Sequence, residues 1–117
     1  MSVSAEWEKC SHLIRQAMVR GDLGKFEEVE RQVLSGEAML WVNGRAAVVT
    51  QIAIVESGKV CTIVACGGKL PTLDGLQEIE RYAATEGCRA MRVMGRRGWA
   101  RKLKDYRTAA VVLEKEL

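Results

Sequence analysis

The stretch from Arg89 to Arg107, RAMRVMGRRGWARKLKDYR, gathers more side chains able to do chemistry than any other part of the chain. It holds Arg89, Arg92, Arg96, Arg97, Arg101, Lys102, Lys104 and Arg107 against one acid, Asp105, so it carries about +7 while the rest of the 117 residues carries about −4. Guanidinium groups in such a cluster suit two kinds of ligand. They can neutralise phosphate, on a nucleic-acid backbone or a nucleotide cofactor, with Trp99 supplying packing or stacking. They can equally meet an acidic surface on a partner protein, where arginine and tryptophan are common anchors. The residues that would carry either contact are Arg92, Arg96, Arg97, Trp99 and Arg101. The bland alternative is a strand–helix junction whose arginines are solvated or paired with acids such as Glu27, Glu28, Glu78 and Glu80.

The remaining reactive side chains are less concentrated. Cys10, Cys61, Cys66 and Cys88 form no CxxC pair and the single histidine, His12, is remote from them, so the spacing argues against a zinc site. Cys10, Cys61 and Cys66 lie in apolar segments, where a thiol behaves as a small hydrophobe and suits a reducing compartment. Only Cys88, beside Arg89, has a cation next to it in sequence that could activate a thiolate. His12 falls toward the exposed side of its segment, without a partner for a triad. Glu37 and Glu56 each stand beside a turn, positions open to a general base but also to ordinary solvated carboxylates.

A chain of this length, 48% apolar and 28% charged with one proline, is expected to form a single ordered domain over residues 1–117 with one modest core. A net charge of +3 is too mild to indicate nucleic acid by itself; the local asymmetry is the stronger signal. No basic N-terminal region leads into an apolar stretch, and no run approaches about eighteen apolar residues. The expectation is a protein that is neither secreted nor membrane-spanning.

The elements that must position these residues follow from periodicity. Trp7, Cys10, Ile14, Ala17 and Met18 recur at spacings of three and four, which predicts a helix over about Ala5–Arg20, with Ser4 as N-cap and Gly21 as stop. Phe26, Val29 and Val33 mark the inner face of a second helix, about Lys25–Leu34, ended by Gly36. Ala38–Val42, Ala46–Val55 and Lys59–Cys66 are β-branched and aperiodic, and read as three antiparallel strands joined at Asn43-Gly44 and Glu56-Ser57-Gly58. Gly67-Gly68 reads as a break in the third strand, after which Pro71-Thr72 opens a helix with Leu73, Leu76, Ile79 and Ala83 inward. Cys88–Met94 is expected as a fourth strand, parallel to the third by a crossover. A helix over about Gly98–Tyr106 and a last strand, Ala109–Leu113, complete an α+β order ααβββαβαβ.

That order resembles the GNAT superfamily of N-acetyltransferases over essentially the whole chain: two helices, an antiparallel meander, a strand–helix–strand unit, then a closing helix and strand. The segments LQEIERYAATEGCRAMRVMGRRGWARKL, AAVVLEKEL and AMLWVNGRAAVVTQI resemble, more narrowly, small GNAT-like proteins of tailed bacteriophages and prophages. The resemblance implies a GNAT-like mixed sheet and, for a catalytic member, a loop after the third meander strand whose backbone N–H groups hold the coenzyme A pyrophosphate at a helix N-terminus. The corresponding positions are Gly67, Gly68, Lys69 and Thr72 within Cys66-Gly67-Gly68-Lys69-Leu70-Pro71-Thr72. They depart from the superfamily's Arg/Gln-x-x-Gly-x-Gly/Ala pattern: the glycines are adjacent, no Arg or Gln leads them, and Pro71 lacks an N–H where donors should converge. Tyr106 lies roughly where such enzymes carry a tyrosine that protonates the leaving thiolate, and it also continues the apolar face of Trp99 and Leu103.

The reading implied is a phage-type GNAT-like protein without acetyltransferase activity and without a resident cofactor, binding another phage or host protein, in the host bacterial cytoplasm or packaged in the virion. Two alternatives stand beside it. One is an acetyl-CoA-dependent N-acyltransferase with a non-standard loop; the other is a nucleic-acid-binding domain acting through Arg89–Arg107.

Overall fold

A computed structural model describes residues 3–21, 25–43, 46–68, 73–93, 103, 105–109 and 113–117. Helix α1 spans Val3–Gly21 and α2 Phe26–Ser35; strands β1 (Met39–Asn43), β2 (Ala46–Val55) and β3 (Gly58–Gly68) follow, then α3 (Leu73–Thr85) and β4 (Ala90–Val93). Among the described residues the class is α+β, with three helices and a mixed four-stranded sheet in the order β1-β2-β3-β4. The first three strands are antiparallel neighbours, and β4 runs parallel to β3, as a strand–helix–strand crossover requires.

The helices form where apolar spacing gives them a face to bury. Trp7, Cys10 and Ile14 of α1 and Phe26, Val29 and Val33 of α2 join Ala47, Val49 and Ala65 of the sheet in one cluster. Leu76 and Ile79 of α3 join Val48 and Ile63 in a second. Since Ala47 and Val49 belong to the first cluster and Val48 to the second, strand alternation sends them to opposite faces: α1 and α2 cover one face, α3 the other. Trp7 stacks on Phe26 with centroids 5.7 Å apart, its indole N–H donates to Glu30 Oε2 at 2.8 Å, and the Arg15 guanidinium lies 4.1 Å from the Phe26 ring centre. Gly36, at φ 86°, closes α2 in the left-handed conformation, its N–H donating to the Val33 carbonyl at 3.3 Å.

Several boundaries differ from expectation. Helix α1 already begins at Val3, so Ser4 lies inside the first turn instead of capping it. The first hairpin closes with Asn43 opposite Ala46, which makes Asn43 the last residue of β1 and not a turn residue. The third strand does not stop at Cys66: Gly67 pairs with Ala47 and Gly68 with Ala46, so both glycines belong to β3. The expected C-terminal helix is not present in its described part, where Leu103, Asp105 and Tyr106 form a turn with the Tyr106 N–H donating to the Leu103 carbonyl at 3.0 Å. The Tyr106 side chain reaches across to α3, where its hydroxyl bonds Glu80. Of the expected last strand, Ala109 and Leu113 are not in a strand, and residues 110–112 lie outside the described residues.

Candidate functional site at the end of β3

The site expected from the sequence centres on the C-terminal half of β3. Its ladder with β4 runs from Val60–Ala90 through Cys61–Met91 and Thr62–Arg92 to Ile63–Val93, where it ends among the described residues. At the same point the ladder to β2 slips: Val49 faces Ala65 and Thr50 faces Ile63, which leaves Val64 as an extra residue on β3. An extra residue reverses the inside–outside alternation beyond it. The clusters record that reversal, because Ile63 and Cys66 face α3 while Val64 and Ala65 face α1 and α2. Two residues further, Gly67 therefore points toward α1.

That orientation explains why position 67 is glycine. A Cβ built on Gly67 would overlap the carbonyl of Leu13 and lie 2.9 Å from the Ile14 nitrogen. The obstacle is helix backbone, which cannot rotate aside as a side chain can, so α1 crosses β3 at a distance only glycine permits. Gly68 completes the strand at φ 84°. Both expected cofactor glycines thus sit in the β3 ladder, while Lys69 and Thr72 lie outside the described residues.

Tyr106, the expected acid, is half-buried against the α3-side cluster with Leu103, Trp41 and Met91. Its hydroxyl donates to Glu80 Oε2 at 2.8 Å. Burial first, and then the bond to Glu80 and that carboxylate's charge, hold the phenol above the ordinary tyrosine range. It stays protonated at neutral pH, as an acid must, but its proton is directed at a carboxylate of α3. Glu80 was not foreseen as its partner. Nor was Thr50, the one polar residue buried among the described residues, whose hydroxyl accepts the Trp41 indole N–H at 3.0 Å. Trp41 also meets Tyr82 edge-on, with centroids 5.3 Å apart. The signal that could have found Gly67 was present, since a glycine inside an apolar β run marks close backbone approach; Glu80 and Thr50 had none, being long-range choices among many similar residues.

The basic segment is only partly described. Arg89 is committed to structure: its N–H donates to the Lys59 carbonyl at 2.8 Å, its side chain lies 3.4 Å from where a Gly58 Cβ would be, and its guanidinium bonds the Ser57 hydroxyl. Arg92 on β4 and Arg107 are exposed. Arg96, Arg97, Trp99 and Arg101 lie outside the described residues. The acids proposed as their partners include two with other roles: Glu28 pairs with Arg31 at 2.6 Å, and Glu80 accepts from Tyr106. Glu37 likewise accepts from Arg31, at 3.1 Å, and Glu56 is an exposed turn residue.

The thiols are placed for packing. Cys10 and Cys61 are buried, which pushes both above the usual thiol range, and Cys66 is pushed up to about 11 by burial alone. Cys88 is half-buried before β4, and His12 is exposed on α1. Among the described residues, no group of three His, Cys, Asp or Glu side chains could hold a metal ion. No helix of the described residues is long and apolar enough to cross a membrane. A shallow pocket of about 70 Å³ lies between Trp41, Val42, Ala46 and Val48 and the first turns of α3 at Gly75, Glu78 and Ile79. That is room for a few waters. No family model matches the chain, and comparison with curated proteins and with solved structures finds no match either.

Proposed function

We propose that this chain is a GNAT-like domain of the tailed-bacteriophage type that acts by binding a partner protein, in the host cytoplasm or the virion, and not by acetyl transfer. The observation that carries the reading is Gly67. The first glycine of the expected pyrophosphate loop is a strand residue packed on the Leu13 carbonyl, so packing against α1 accounts for it without a ligand. Tyr106 adds to this, because its hydroxyl is directed at Glu80. The order ααβββαβ over the described residues agrees with the opening and middle of the GNAT order. Exposed Arg92 and Arg107 offer part of a basic surface to an acidic partner.

The alternative of an N-acyltransferase rests on the same stretch: among the described residues the last β3–β4 pair is Ile63–Val93, and β3 continues through Gly68 toward the place where a GNAT protein would splay its strands to open its cofactor cleft. Calorimetric titration with acetyl-CoA separates the two. The binding-domain reading predicts heats no greater than dilution, whereas stoichiometric binding at micromolar affinity overturns it and promotes the acyltransferase.

A further inference from the structure

Strand β2 is longer than the strand that covers its outer edge. The β1–β2 ladder ends at Met39–Thr50, while β2 continues through Gln51, Ile52, Ala53, Ile54 and Val55, paired among the described residues only with β3 on its inner side. β1 cannot extend along this edge, because the chain leading into it is tied to α2 by the Ala38 N–H, which donates to the Gln32 carbonyl at 3.0 Å. Five residues of strand, about 17 Å at the usual rise, therefore present one edge to which no described strand pairs. Ala53 is exposed and Ile54 is 85% exposed. Proteins usually blunt such an edge with lysine, proline or a bulge; here the five residues hold no charge and no proline, and the only slip in the ladder is at Val49/Thr50, outside them.

We propose that this edge is a self-association surface, on which Gln51–Val55 of a second copy pairs antiparallel about a two-fold axis through Ala53. The sequence is self-complementary in that register. Ile52 lies opposite Ile54 of the second copy, and the reverse, on one face of the continued sheet; Gln51 meets Val55 and alanine meets alanine at the axis on the other. The small residue at the axis is the one whose side chain faces its own copy. No like charges are brought opposite one another. The nearest carboxylates, the two copies of Glu56, end six residues apart along the strands, about 20 Å, well beyond the Debye length of about 8 Å in physiological salt. A two-fold contact of this kind is closed: each copy uses the other's edge, so the product is a dimer and not a fibre. The contact is small, so the dimer forms and dissociates with concentration.

The test is sedimentation of the full chain over about two decades of concentration, with Ala53→Lys and Ala53→Glu. Residue 53 is exposed, so neither change disturbs the fold, which a circular-dichroism melt checks; Ile54→Lys serves as a second variant on the same edge. The proposal predicts a wild-type monomer–dimer equilibrium, a dissociation constant raised about tenfold or more in Ala53→Lys and in Ile54→Lys, and recovery of dimer when Ala53→Lys and Ala53→Glu are mixed. A wild-type chain that stays monomeric throughout overturns it, whatever else the edge takes. So does a dimer indifferent to these changes, or a mixture no tighter than Ala53→Lys alone.

Discussion

The two faces of the sheet are closed in different ways. On the α1–α2 face one polar tie, Trp7 to Glu30, joins the two helices, and the closure onto the sheet reaches the backbone: Ile14 and Val33 are fully buried, Trp7 and Phe26 stack, and Gly67 lets α1 settle directly on β3. On the α3 face apolar packing around Val48, Ile63, Leu76 and Ile79 is supplemented by polar ties, Trp41 to Thr50 and Tyr106 to Glu80. The difference bears on function. A face closed at backbone distance converts a glycine that could have received a ligand into part of the wall. A face closed by side-chain hydrogen bonds engages the donors and acceptors that could otherwise have done chemistry.

The sharpest way to break this comparison is Gly67→Ala. With the new methyl driven into the Leu13 carbonyl, α1 must lift from β3, and denaturant unfolding should show a loss of about 3 kcal/mol or more. An unchanged midpoint would mean that the two elements do not meet at that distance. Thr50→Val tests the other face by keeping shape while leaving the half-buried Trp41 N–H without its acceptor; a loss of about 1–3 kcal/mol is expected. Tyr106→Phe is expected to cost about 1 kcal/mol near neutral pH. Its pH dependence sharpens the point. The folded phenol titrates above the unfolded one, so its contribution is complete below about pH 10 and is lost as pH rises further. Unfolding measured from pH 8 upward should therefore show a smaller alkaline loss in Tyr106→Phe than in wild type.

The regions that were legible in the sequence are those governed by local periodicity. Trp7-Cys10-Ile14, Phe26-Val29-Val33 and Leu76-Ile79-Ala83 each mark the buried side of a helix at spacings of three and four, and all nine are buried, while Ala17 and Met18, read onto the same face of α1, are half-buried. β2 has the bounds that its β-branched composition predicts. What escaped depends on contacts distant in sequence. Gly67-Gly68 has the local chemistry of a strand break, yet pairing with Ala47 and Ala46 of β2 makes it strand, and Leu13, more than fifty residues earlier, leaves room there only for glycine. The slip at Val64 lies in an apolar run, Cys61–Cys66, with no alternation to betray a change of face. Leu103 and Tyr106 read as helix by spacing, but neither is helical, and Tyr106 bonds Glu80, 26 residues away. Of the candidate site, the positions of Gly67, Gly68, Tyr106 and Arg92 are seen, whereas Lys69, Thr72, Arg96, Arg97, Trp99 and Arg101 lie outside the described residues.

The central proposal is that the end of β3 serves as a packing surface and not as a cofactor cradle. Hydrogen–deuterium exchange of the wild-type chain, with and without saturating acetyl-CoA, addresses it at the residues concerned. The account predicts that amides of Val64–Gly68 exchange at the same rates in both conditions; protection of that stretch on adding acetyl-CoA would contradict it and return Gly67 and Gly68 to a cofactor site.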